Sequence, residues 1–109
     1  MAITGIPFQA VDWSSIAPTT HPGSPGTALW RTLQVGGVRT RLVEYSPGYV
    51  ADHWCERGHV IFVVEGELHT DLRDGRVVTL GPGQGYVVGD GDGAHRSRSP
   101  SGAKLFIVD

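Results

Sequence analysis

Gly48-Tyr49-Val50-Ala51-Asp52-His53-Trp54-Cys55-Glu56-Arg57-Gly58-His59 runs on through the apolar stretch Val60-Ile61-Phe62-Val63-Val64 to a turn at Glu65-Gly66-Glu67. Side chains two apart leave the same face of a β-strand, so a strand through this stretch points His53 and Cys55 the same way. His59 opens the next strand. Thirty-six residues later His95 follows a glycine-rich loop and begins a short polar strand. Three histidines and the only cysteine of the chain, dealt onto three strands, make a candidate metal cage: His53, Cys55, His59 and His95.

A chain of 109 residues is one domain by length. It should bury roughly 65% of its unfolded surface, enough for one core without covalent staples. Nine basic residues against eleven acidic ones give no field suited to nucleic acid or to an anionic membrane. One cysteine forms no internal disulfide and suits a reducing compartment. No basic region followed by an apolar core begins the chain, and no apolar run approaches the ~18 residues that span a bilayer. A cytoplasmic protein is expected.

Sixteen glycines and seven prolines among short β-branched runs point to an all-β sandwich or barrel. Residues 1–27 read as an irregular arm in which Asp12 or Ser14 caps a helical turn at Trp13-Ser14-Ser15-Ile16, stopped by Pro18. Ile6, Phe8, Trp13 and Ile16 are too apolar for a free tail and should pack on the barrel or on a neighbouring subunit. From residue 28 about nine strands are expected: 28–35, 38–45, 49–55, 59–64, 67–73, 76–80, 86–88, 95–98 and 104–108. Gly36-Gly37 and Asp74-Gly75 are hairpin turns. Along 38–45, either Arg41 and Tyr45 or Thr40 and Glu44 face the interior. The pocket set carried forward is Arg41, Tyr45, Tyr49 and Ile61.

This arrangement resembles the cupin superfamily. Its first motif contains H-x-H-x3-E-x6-G, and His53, Cys55, His59 and Gly66 stand at those places, with Gly48 ahead of them. Its second motif supplies one more His after a Pro-Gly turn, as Pro82-Gly83 and His95 do here. The resemblance covers residues 28–109, with 1–27 as an arm. The Asp52-His53-Trp54-Cys55 run is similar to a small group of single-domain bacterial cupins with a D-H-W-C or D-H-C-W motif. The resemblance implies a cupin-type double-stranded β-helix, a jelly-roll barrel of two antiparallel sheets with an inward metal site. Two exchanges separate this chain from the usual ligands: Cys55 replaces a His, and His59 replaces the Glu.

The exchanges offset each other in charge. A bound metal deprotonates a thiol, so Cys55 restores the single anionic ligand that the missing Glu would supply. Thiolate plus imidazole favours Zn(II), with Fe(II), Ni(II) or Cu as further candidates for the divalent transition metal. Four protein ligands would close the site as in structural zinc centres, whereas three would leave a position for water or substrate. Two functions stay open: a small metalloenzyme acting on a small molecule, and a binding or sensing module with a structural metal or none. A homodimer is expected from the apolar side chains of Trp54, Phe62 and Val64 on the outward side. No nucleic-acid or membrane partner is expected.

The remaining motifs read as structure. Gly81-Pro82-Gly83-Gln84-Gly85 precedes no helix that could receive a phosphate. Gly89-Asp90-Gly91-Asp92-Gly93 lacks the later carboxylate of a calcium loop, since position 101 is Ser. Arg96 and Arg98 alternate away from His95, and His21 and His69 are expected on the surface.

Overall fold

The computed structural model describes residues 3–109. A 3-10 turn (Trp13–Ser15) precedes ten strands: β1 (Thr19–Pro22), β2 (Thr27–Val35), β3 (Val38–Tyr45), β4 (Tyr49–Val50), β5 (His59–Gly66), β6 (Leu68–Leu72), β7 (Val77–Leu80), β8 (Gly85–Val88), β9 (His95–Ser99) and β10 (Ala103–Val108). All pairings are antiparallel. They build a six-stranded sheet, β1-β2-β3-β10-β5-β8, and a four-stranded sheet, β4-β9-β6-β7. This is the expected all-β jelly roll, although the two sheets do not close into a continuous barrel. No helix of the described residues is long and apolar enough to cross a membrane.

Period-two alternation sets the core. On β10, Ala103, Leu105 and Ile107 are buried, as are Ile61 and Val63 on β5. They meet Leu68 of β6 and Leu80 of β7 from the smaller sheet. The hairpins form where the glycines predict them, with Val35 opposite Val38 across Gly36-Gly37. Two further glycines are held by close approach. A Cβ on Gly85 would lie 1.9 Å from the Ile61 carbonyl oxygen, and one on Gly66, at φ +78°, 2.1 Å from that of Gly102. Asp90 Oδ1 accepts the Gly58 N–H, so the Gly89–Gly93 segment acts as a turn.

Three features differ from the sequence expectation. The arm is not wholly irregular: Thr19 and Thr20 favour extended chain, and β1 pairs with β2. The strand expected over 49–55 stops at Val50, bends at Asp52-His53, and touches β9 again only at a single bridge, Cys55 to His95. Trp54 does not share a face with Phe62; Arg73 and Arg96 lie over its ring at 5.2 and 5.1 Å. The 3-10 turn itself is as expected, with Asp12 accepting the Ser14 N–H, and Trp13 packs edge-on against Phe106, 5.5 Å between ring centroids.

Candidate metal centre

β5 begins with His59 and β9 with His95, while the bridge at Cys55 ties the loop after β4 to β9. Ligand atoms of Cys55, His59 and His95 all lie within 4.8 Å of one another. His59 Nδ1 donates to Asp109 Oδ2 at 2.8 Å, and His95 Nδ1 donates to the Gly93 carbonyl at 2.8 Å. A carbonyl and a carboxylate only accept, so both rings carry a proton on Nδ1, and Nε2 is the atom each neutral imidazole would offer to a metal. His95 Nε2 is buried without any partner, an unsatisfied lone pair that a buried polar atom rarely keeps without a reason. His59 Nε2 stands 3.5 Å from Cys55 Sγ. Zinc–sulfur and zinc–nitrogen bonds of ~2.3 and ~2.05 Å at a tetrahedral angle would separate the two ligand atoms by about 3.5 Å. The set fits a divalent transition metal.

Electrostatics favour the ligand form of His59. Burial lowers its pKa, and His95 and Arg41 add to this against the opposing pull of Asp109. Burial works against ionisation of Asp109. Hydrogen bonds from Arg39 and His59, with the charges of Arg41 and Arg39, outweigh it and hold this carboxyl well below the usual range. The carboxylate, 2% exposed, fixes the His59 ring from behind, the arrangement by which second-layer carboxylates orient metal-bound imidazoles.

His53 is not part of the three-residue cluster. The bend after Val50 turns its side chain outward, 77% exposed, with Nδ1 2.5 Å from Asp52 Oδ1. It lines the mouth of a cavity of about 250 Å³ that also holds the cluster. Arg41, Tyr45, Tyr49 and Ile61 line that cavity too, so β3 turns Arg41, Val43 and Tyr45 inward rather than Thr40 and Glu44. Tyr45 and Tyr49 stack with centroids 4.2 Å apart, and burial, with the neighbouring Tyr45 and Asp52, pushes Tyr49 up to about 12. Burial also raises Tyr45 and Tyr86, so every phenol in the cavity is an O–H donor at neutral pH. Larger hollows of about 500 and 470 Å³ lie elsewhere and, among the described residues, hold no such ligand set. His69 is half-buried beside Glu67, and His21 stacks on Trp30 at 3.7 Å.

Asp109, Trp30 and Tyr86 were not foreseen as part of the site, and Arg96, expected on a solvated face away from His95, lines the cavity beside it. Asp109 continues the inward series 103, 105, 107 of β10, and Trp30 follows buried Ala28 on β2, so parity alone could have found both.

No protein-family model and no curated protein matches the sequence. Solved structures do. A protein from Neisseria meningitidis is 28% identical over 73% of this chain and 80% of its own, with a TM-score of 0.60. A cupin-2 domain containing protein from Shewanella frigidimarina is 25% identical over 73% and 78%, with a TM-score of 0.61. A predicted oxalate decarboxylase from Thermotoga maritima is 16% identical but covers 92% of this chain and 96% of its own, with a TM-score of 0.77. Two facing antiparallel sheets, with Cys55, His59 and His95 gathered between them, and this likeness agree: the protein has the fold of a small cupin.

Proposed function

We propose that this protein is a metal-binding cupin in which Cys55, His59 and His95 hold Zn(II) for chemistry on a small molecule admitted by the adjoining cavity. The observation that carries this is the pair of imidazoles pinned through Nδ1, with His95 Nε2 buried without a partner and His59 Nε2 3.5 Å from the Sγ of the only cysteine. Bound there, the metal would polarise an oxygen of substrate or lower the pKa of a water. Asp109 holds His59 in the ligand tautomer, the Gly93 carbonyl does the same for His95, and Tyr45, Tyr49 and Tyr86 offer donors to a ligand. Three protein ligands leave a fourth position open, as catalytic zinc sites do. A thiolate ligand needs a reducing compartment, and the cytoplasm supplies one.

A second reading, a binding or sensing module with a structural metal, is favoured by one feature. His53 sits exposed at the mouth of the same cavity, and a swing inward would supply a fourth ligand and close the site.

The test is elemental analysis of protein purified without affinity tag or chelator, beside Cys55→Ser. Near-stoichiometric zinc, lost in the variant, is expected. Cobalt-substituted protein should show an intense thiolate charge-transfer band that Cys55→Ser abolishes. Protein that carries no metal and takes up none of Zn(II), Fe(II), Ni(II) or Cu(II) would leave a metal-free barrel instead.

A further inference from the structure

The wall of the cavity beside Cys55, His59 and His95 contains no carboxylate. Arg39, Arg41, Arg57 and Arg96 line it, and among the described residues no Asp or Glu does; Arg96 lies 4.0 Å from Asp71, which is not part of the lining. Asp109 stands behind the wall and divides its oxygens among Arg39, Arg41 and His59. Two guanidinium charges thus meet one carboxylate, and Arg57 has no ion-pair partner among the described residues. A divalent ion beside a Cys55 thiolate adds one more unbalanced positive charge. A chain with formal net charge −2 therefore keeps a positive hollow, and low-dielectric walls concentrate that field.

Arg41 is the best-placed recognition group. Its side chain is 6% exposed, Nη2 reaches Asp109 Oδ2 at 2.8 Å, and Nε is buried with no partner. The Trp30 ring lies 4.4 Å from the guanidinium carbon and holds the fork in place. Apart from the arginines, Ser97, His53 and the cluster itself, the wall is apolar or aromatic: Val43, Ile61, Ile107 and the stacked Tyr45 and Tyr49. At about 250 Å³ the hollow falls just below the ~300–1,000 Å³ of pockets for drug-sized ligands.

We infer that this cavity takes a small organic carboxylate, its anionic group held by Arg41 with Arg57 at the rim and its apolar body against the aromatic and aliphatic wall. Inorganic phosphate answers the charge but leaves that wall without a partner. The inference deepens the proposed metal site and rests on it for location, while the arginines supply the recognition whether or not a metal is bound.

The experiment is calorimetric titration of the full chain, chelator-treated and Zn(II)-loaded, with acetate, succinate and benzoate. Their neutral counterparts acetamide, succinamide and benzamide, and inorganic phosphate, are titrated in parallel. At least one carboxylate should bind roughly tenfold or more tighter than its amide in both forms, the contribution expected of a charge-assisted hydrogen bond. Affinity should fall as sodium chloride rises, and Arg57→Gln and Arg41→Gln should narrow the carboxylate–amide gap. Should Arg41→Gln fail to fold, the amide comparison and Arg57→Gln still decide. Equal binding of every carboxylate and its amide, or phosphate binding tighter than all three carboxylates, overturns the inference. Zinc content is measured on the same samples. Carboxylate selectivity without zinc uptake sinks the metal reading alone, and zinc uptake without selectivity sinks this inference alone.

Discussion

Replacing Asp109 by Asn keeps size and shape but removes the charge shared by Arg39, Arg41 and His59. Arg41 would then be buried without a carboxylate, and breaking a buried pair in this way costs about 3 kcal/mol. His59 would also lose the anion that fixes its tautomer, and such second-layer losses lower metal affinity roughly 10- to 100-fold. Urea unfolding of metal-free Asp109→Asn should therefore show the stability loss, and zinc competition with a chromophoric chelator the weaker binding. Unchanged values in both would remove Asp109 from the site. Its role was hidden in the sequence because the last strand was expected to end at residue 108. Extending the inward parity of Ala103, Leu105 and Ile107 by one step places Asp109 toward the cavity.

Elements that depend on local pattern were legible, and the one that depends on an unbroken strand was not. The β2–β3 and β6–β7 hairpins follow from Gly36-Gly37 and Asp74-Gly75, and the burial of Ile61 and Val63 follows from alternation on β5. Placing His53 beside Cys55 required the same alternation from residue 49 to 55. The backbone leaves the strand after Val50, and Asp52 pairs with His53 in solvent. Cys55 returns to the interior through its own bridge to His95, in register with the second motif rather than with His53. His53→Ala should thus retain close to full zinc, whereas His95→Ala should release it with the β circular-dichroism spectrum intact. Zinc lost equally from both variants would show that His53 swings in as a ligand, and would favour the closed, structural site.

At the scale of the molecule, the six-stranded sheet has one face on the cavity and another partly bare. The arm covers part of the outer face, with Trp13 on Phe106 and Ile6 near Leu33, Val35 and Val38. Val60, Phe62 and Val64 of β5 and Val87 of β8 remain exposed, Phe62 by 49% and Val87 by 77%. Phe8 of the arm is fully exposed as well. Side chains this apolar, gathered on one sheet face beside the Lys104–Glu44 ion pair, suit a second copy of the same surface, because a two-fold contact pairs apolar with apolar. A standard interface takes about 800 Å² from each partner, more than four side chains supply, so the arm would have to contribute. We therefore propose a homodimer built across β5, β8 and the arm. Light scattering on the eluted protein should give twice the chain mass, and Phe62→Glu should return it to one chain. Phe62 lies outward, opposite in parity to cavity-lining Ile61, so zinc content should not change in that variant. A wild-type protein of single-chain mass at tens of micromolar, or a Phe62→Glu protein still of double mass, would move the interface off this face.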